Sequence, residues 1–187
     1  MNRYIDISYD IDFNAMNRNE IMYTLFMLSN RDDERNEFEK KIYKSNRSRA
    51  LADYEKIYGQ YKEIIDRFRA VQKNEQMDIP AYYIMKQKTF DIICTNLLTR
   101  NELKILLWIM REYQITYQRI RIADNEVMQS LFGDSYKLYR SMFKKTLDKF
   151  ISYEYDDGSK LVVAYENHRG RIKIQLDVKH TLRRRRR

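Results

Sequence analysis

The sequence predicts an α+β protein: a helix-rich N-terminal region with one N-terminal strand, followed by a module of helices and a β-hairpin. Three observations support this fold class. Residues 4–13 alternate apolar and polar side chains, which is typical of a strand. Residues 47–74 place apolar side chains three and four positions apart, which indicates a long amphipathic helix. Residues 124–178 contain two short helical patterns and then several strand patterns.

The N-terminal elements follow from these patterns in order. The strand over 4–13 should bury its apolar face and expose its acidic residues, which suits a sheet packed on helices. A helix is predicted over 15–29, a second one up to Lys44, and the long one over 47–74. Pro80 disfavours helix at the residue before it. We therefore place the domain boundary there, with residues 1–80 as the first domain.

The next predicted helices are apolar. Residues 81–98 are expected to form a helix in which Cys94 lies among isoleucines, a setting that raises the pKa of a thiol and leaves it unreactive. Thr99 and Glu102 match a capping box ahead of the apolar run LKILLWIM. A buried helix over 100–113 is the consequence.

A helix-turn-helix pattern comes after this helix. ITYQRIRI indicates a short strand, and Asp124 is a candidate N-cap for a two-turn helix that ends at Gly133. Asp134 and Ser135 can cap the next helix, which runs to about Phe150. Two short helices joined by a tight turn with glycine are the signature of this motif.

The second helix of the pair separates apolar from basic residues. We expect its core side to hold Leu138, Met142, Leu147 and Phe150. The opposite side, left free for a partner, holds Lys137, Arg140, Ser141 and Lys144.

The remaining patterns complete a winged helix over residues 81–180. The strand signals are ISYEY, KLVVAY and RIKIQLDV, and the connections are DDGS and NHRG. Asp157–Gly158 is a strong candidate for a type I′ hairpin turn. In a winged helix the second helix of the pair enters the major groove, and the hairpin wing lies against the DNA backbone.

This arrangement predicts a nucleic-acid site with two kinds of contact. Lys137 and Arg140 would meet base edges. Phosphates would be met by Lys144, Lys145, Lys160 and Arg169. The full predicted set is Lys137, Arg140, Ser141, Lys144, Lys145, Lys160, Arg169, Arg171, Lys173, Arg183, Arg184, Arg185, Arg186 and Arg187.

Charge is distributed unevenly along the chain, whose net charge is +9. Residues 1–100 hold 17 basic and 16 acidic side chains, and residues 101–187 hold 19 and 11. The polybasic tail, residues 181–187, ends in five arginines. Such a tail attracts nucleic acid, anionic lipid and acidic protein alike, so it indicates a polyanion without identifying it.

The stretches LTRNELKILLWI, RIRIADNEVMQSLFG, YKLYRSMFKKTLDKFI, SYEYDDGSKLVVAY and RGRIKIQLDV together resemble the first winged-helix domain of theta-type plasmid and phage replication initiator (Rep) proteins, over about residues 98–180. The resemblance implies a protein that binds repeated origin DNA, recruits replication factors and switches between dimer and monomer. It also implies that Lys137, Arg140 and Lys144 act in dimerisation or in DNA contact. Initiators of this type normally carry a second winged helix, for which no pattern follows Val178 here. A plasmid or phage accessory protein with the same fold is the alternative.

The sequence lacks the residues that several classes of function require. His168 and His180 stand alone, and none of the four glycines leads into a phosphate-binding Lys-Ser or Lys-Thr pair, so we expect no metal site, no cofactor and no enzyme activity. The single cysteine forms no internal disulfide, and the N-terminus lacks the apolar core of a signal peptide. We expect a cytoplasmic protein of a bacterial host cell, or a virion component, without a membrane span.

Three functions remain as hypotheses. The leading one is a non-catalytic DNA-binding protein of replication initiation or transcription control, with double-stranded DNA as partner and a homodimer as an open alternative. The second is a viral or phage structural or packaging protein whose arginine tail binds nucleic acid among capsid proteins. The third is a winged-helix adaptor that docks other proteins.

Overall fold

The part of the protein that the structure describes is α+β and mostly helical, with two small antiparallel sheets. The computed structural model describes residues 4–44, 46–72, 78, 80–116 and 120–177, with the side chains of 113–116 left out. The chain divides into two compact units, which we call the first unit (residues 1–103) and the second unit (residues 104–187).

The elements of the first unit, in chain order, are β1 (Tyr4–Ser8), α1 (Arg18–Ser29), α2 (Arg35–Tyr43), α3 (Arg47–Gln72), β2 (Tyr82–Lys86) and α4 (Gln87–Asn96). A helix that begins in the first unit and continues into the second is α5 (Arg100–Thr116). The further elements of the second unit are β3 (Ile120–Ala123), α6 (Asn125–Phe132), α7 (Tyr136–Ser152), β4 (Val162–His168) and β5 (Arg171–Leu176).

Strand β1 is shorter than its apolar alternation predicted, and both of its faces are covered. It ends at Ser8, where the backbone N–H of Asp10 donates to the serine hydroxyl in a tight turn (3.1 Å). Asp6 is only 5% exposed, so the expected solvent-facing acidic edge is wrong within the strand itself.

The partner of β1 is β2, where the sequence predicted a helix over residues 81–98. The two strands pair antiparallel, with Tyr4 opposite Lys86 and Ser8 opposite Tyr82. Only the second part of the predicted helix is helical, as α4. The YYIMK segment forms a strand because its residues favour strands. Its backbone pairs with β1, and this pairing buries Tyr83 and Met85.

This pairing also moves the boundary between the units. Residues 81–103 belong to the first unit, whereas the sequence placed the break near Pro80 and grouped these residues with the winged-helix module.

Helix α1 lies at the centre of the first unit and contacts α3, β1, α2 and α4. Every residue from Glu20 to Ser29 is buried, which explains its largely apolar sequence. The helix starts with a capping box between Asn17 and Glu20, and it ends at Asn30 in the left-handed conformation.

Helix α3 confirms the predicted long amphipathic helix and adds a kink. It buries Ile57, Ile65 and Phe68 on one side. Tyr61 has non-helical backbone angles (φ −120°, ψ 17°) two residues after Gly59, the poorest helix former in this segment.

The predicted caps of α5 and α6 are confirmed. The N–H of Thr99 donates to the Glu102 carboxylate at 2.7 Å, and the Glu102 N–H donates to the Thr99 hydroxyl at 3.3 Å. The Asp124 carboxylate caps α6 by accepting from two backbone N–H groups. Gly133 ends α6 with φ +66°, but the predicted cap of α7 is wrong, because the Ser135 side chain makes no capping hydrogen bond.

The sheet of the second unit has the strand order β3-β5-β4, with both pairs antiparallel. Strand β5 confirms the predicted alternation, because Ile172, Ile174 and Leu176 are buried while the residues between them are exposed. The predicted strand ISYEY is wrong, since α7 continues to Ser152 and the rest of the segment contributes only an isolated bridge, between Glu154 and Lys160.

The type I′ turn that the sequence predicted at Asp157–Gly158 lies instead in the connection NHRG. In the segment DDGS only Gly158 has a positive φ (+73°), so Asp157–Gly158 is not a type I′ turn. Arg169 and Gly170 both have positive φ (46° and 83°), as a type I′ turn between β4 and β5 requires.

Candidate nucleic-acid interface

Helix α7 carries an exposed cationic stripe that faces away from its buried side. Phe143, Thr146, Leu147 and Phe150 form the buried side. Lys137, Ser141 and Lys145 are exposed and follow one another at intervals of four, so they lie on one side of three consecutive turns. We call these three residues the α7 stripe.

Acidic residues limit the length of the α7 stripe. Asp134 and Asp148 are both exposed and lie before and after it. From Lys137 to Lys145 the helix rises about 12 Å. A polyanion that bound here would therefore contact the N-terminal half of α7.

Arg140, predicted to contact bases, instead contacts the hairpin. Its guanidinium Nη2 donates a hydrogen bond to the carbonyl oxygen of Gly170 in the β4–β5 turn. The side chain is half-buried rather than free on the helix surface. Arg140 therefore fixes the position of the turn beside the N-terminal half of α7.

A second side-chain contact joins the same two elements farther along. The hydroxyl of Tyr165 on β4 donates to Asp148 Oδ1 at 2.7 Å. Burial of the ring and this hydrogen bond raise the pKa of Tyr165 above its ordinary value. Because the two contacts lie at different points of α7, the hairpin runs alongside the helix.

The turn itself presents a basic side chain. Arg169 is exposed at its first position, and His168 pairs with Arg171 on the strands that flank it. The structure therefore brings Arg169 close to the segment of α7 that contains Lys137 and Ser141, through the bond between Arg140 and Gly170.

Other predicted site residues are not on this surface. Arg171 and Lys173 are exposed on the face of β5 opposite to its buried isoleucines, and Lys173 stands across from Glu166 of β4. Lys160 is half-buried and forms an isolated bridge with Glu154 at the end of β4 that is far from the turn. The nine residue-to-residue steps from Lys160 to Arg169 span up to about 30 Å in an extended chain.

Two predicted positions need separate mention. Lys144 is half-buried and lies midway between Arg140 and Asp148 at intervals of four, on the side of α7 that follows the hairpin. The tail arginines 183–187 lie outside the described residues.

The prediction that Leu138 lies in the core is wrong, because its side chain is 81% exposed. The angular spacing of residues on an ideal helix predicts this exposure of Leu138. At about 100° per residue, Leu138 lies roughly 130° from the middle of the buried stripe formed by Phe143, Thr146, Leu147 and Phe150. Met142 is half-buried, so the predicted core of α7 is correct only for Leu147 and Phe150.

Cys94 lines a surface cavity of about 170 Å³ in the first unit, beside Phe26, Phe38 and Phe90. Burial raises the pKa of its thiol to about 12, as the sequence predicted, although the side chain is half-buried rather than in the core. A thiol with this pKa is almost wholly protonated at neutral pH and therefore a poor nucleophile.

Two kinds of feature are absent from the described part of the chain. Among these residues, no three of His, Cys, Asp and Glu come together in a way that could hold a metal ion. No helix that the structure describes combines the length and the apolar character needed to cross a bilayer.

Comparison with known proteins adds no relative. No protein-family model, no curated protein and no solved structure matches this chain.

Proposed function

We propose that this chain is a non-catalytic DNA-binding protein whose residues 104–177 act as a winged helix and dock α7 in the major groove of double-stranded DNA. One observation carries the proposal. The exposed α7 stripe lies on the same helix that Arg140 joins to the hairpin turn Arg169–Gly170.

The order of elements supports the winged-helix interpretation. Helix α5, strand β3, the pair α6 and α7, and the hairpin β4–β5 follow one another as in that fold, and β3 closes the three-stranded sheet beside β5. The short turn at 133–135 between α6 and α7 is the connection that a helix-turn-helix needs.

The geometry suggests a division of roles within the interface. Lys137 lies in the first turn of α7, where recognition helices present side chains to base edges, and Ser141 lies one turn later. Lys145 and Arg169 would contact phosphates on either side of the groove. Arg140 is a positioning residue in this account, because its guanidinium is used to hold the turn.

The biological setting belongs to the same proposal. Groove binding without chemistry is what replication initiation and transcription control require of such a module. A packaging protein would instead depend on the arginine tail, and an adaptor would not need duplex DNA at all. These two alternatives therefore predict different results in the experiment that follows.

The experiment is selection of duplexes from a random-sequence library by the full-length chain, followed by affinity measurements over a salt series. We expect one motif to be enriched and to bind more tightly than a scrambled duplex of the same composition. Lys137→Ala should cost about 1–3 kcal/mol of binding free energy on the motif and reduce the preference over the scrambled duplex.

Lys40→Ala is the matched control, because it removes an exposed lysine from α2 in the first unit. It should leave the preference unchanged. Equal enrichment of all sequences, with binding lost only when the five tail arginines are changed to glutamine, would replace the proposal with the packaging function. Absence of duplex binding would favour the adaptor.

A further inference from the structure

Leu138 is the most exposed large apolar side chain that the structure describes. Its side chain is 81% exposed. The other exposed large apolar side chains that the structure describes reach at most 50%, among them Leu51 at 50% and Ile122 at 49%. An apolar side chain left in water contributes little to folding, so its contact surface is available to a partner.

The position of Leu138 ties it to the α7 stripe. It is the third residue of α7, in the first turn of the helix. At about 100° per residue it lies roughly 20° around the helix from Lys145 and 60° from Ser141. An apolar group therefore shares one face with the Lys145 ammonium group and the Ser141 hydroxyl, and the Lys137 ammonium group lies at the edge of that face, about 100° away.

This mixture of side chains limits what could cover the face. An apolar protein surface would bury Lys137 and Lys145 without partners, and desolvating unpaired charges is costly. The major groove of DNA satisfies both kinds of side chain. Its phosphates attract the ammonium groups, and its floor carries one apolar group, the C5 methyl of thymine.

We propose that Leu138 is a specificity-determining residue that contacts the C5 methyl of a thymine in the major groove. The inference rests on the proposed function and deepens it, because it names a chemical feature of the target. The enriched duplex contains a thymine at a fixed position opposite the first turn of α7.

The test replaces each thymine of the enriched duplex, one at a time, with uracil. Uracil keeps base pairing and the groove hydrogen-bonding groups and lacks only the methyl. At one position the substitution should weaken binding of the full-length chain about fourfold, the effect of removing one buried methyl group at 1.4 kcal/mol per factor of ten. Leu138→Ala should bind the thymine duplex more weakly and no longer distinguish it from the uracil duplex.

Leu51→Ala is the matched control, since Leu51 is an exposed leucine of α3 in the first unit. It should behave like the unsubstituted chain on both duplexes. If the motif binds but no uracil substitution matters, the thymine contact is wrong and the proposed function stands. If Leu138→Ala instead changes the oligomeric state without altering the response to uracil, the leucine contacts a second copy. Absence of any duplex binding overturns both proposals.

Discussion

Glu20 is a single carboxylate on which two helices of the first unit depend. Its Oε2 accepts the backbone N–H of Asn17 at 2.7 Å, which closes the capping box of α1, and its Oε1 accepts from Lys56 Nζ of α3 at 2.5 Å. Burial on its own would raise the pKa of Glu20. The hydrogen bonds from Lys56 and Asn17 outweigh burial and hold the pKa below its ordinary value of 4.5.

Replacing Glu20 tests this role. Glu20→Ala should lower the free energy of unfolding by about 1–2 kcal/mol, because the Asn17 N–H loses its acceptor at a buried helix start. Urea denaturation measures the change. Glu55→Ala, at an exposed position of α3, is the control and should cost less than about 0.5 kcal/mol. Equal effects of the two substitutions would contradict the capping role.

The depressed pKa of Glu20 also predicts a pH dependence. Because the pKa is lower in the folded state than in the unfolded state, the ionised carboxylate stabilises the fold fully above pH 4.5, and this stabilisation is lost as pH falls through the folded-state pKa. Glu20→Gln keeps a side-chain acceptor but cannot ionise. The stability difference between the two chains should therefore shrink below pH 4.5 in urea titrations, and a constant difference down to pH 2 would contradict this account.

At the scale of elements, the hairpin β4–β5 is held along α7 by the contacts Arg140–Gly170 and Tyr165–Asp148. In each contact a side chain of the helix or the hairpin bonds to a group of the other element that is distant in the sequence. The turn is therefore kept beside α7 before any ligand arrives. Such preorganisation reduces the entropy that binding would otherwise cost.

Removing the first contact should loosen the turn without unfolding the second unit. Arg140→Ala is expected to speed exchange of the backbone amides from His168 to Arg171 about tenfold, the effect of losing one charge-assisted hydrogen bond. Hydrogen exchange read by NMR measures this. Lys145→Ala removes a cation from the same helix without touching the hairpin and should leave these amides unchanged. A uniform rise over both units would mean that Arg140 supports the whole fold instead.

At the scale of the whole molecule, the sequence correctly predicted the elements that depend on short-range patterns. The alternation of β5, the caps at Thr99 and Asp124 and the long helix α3 all depend on neighbouring residues, and the structure confirms them. Strand β2 depends on pairing with β1, far away in the sequence, so its local pattern could not separate it from the helix that follows.

The candidate site was predictable to the same extent. Lys137 and Ser141 were predicted on the side of α7 that opposes its core, and Lys145 was predicted as a phosphate contact; all three are exposed. The role of Arg140 could not be predicted. Its hydrogen-bond partner is a backbone carbonyl thirty residues later, and a backbone group leaves no sign in the pattern of side chains. One long-range hydrogen bond to the backbone therefore changes the role of Arg140 from a base contact to a support of the turn.

The uneven charge of the chain predicts how the tail contributes. Changing the arginines 183–187 to glutamine in the full-length chain should weaken binding to every duplex by a similar factor and flatten the salt dependence, because tail contacts to phosphates carry no sequence information. The ratio of affinities for the enriched and scrambled duplexes should stay the same in a filter-binding series. A fall in this ratio would show that the tail takes part in sequence recognition.

In the proposed function α7 enters the major groove with Ser141 facing the bases. The most direct measurement attaches a DNA-cleaving iron chelate to Ser141→Cys in a Cys94→Ala background and maps the cuts on the enriched duplex. The account predicts cuts confined to one position of the motif, and diffuse cuts when the same reagent is attached through Lys40→Cys. Diffuse cuts from position 141, equal to those from position 40, would contradict it.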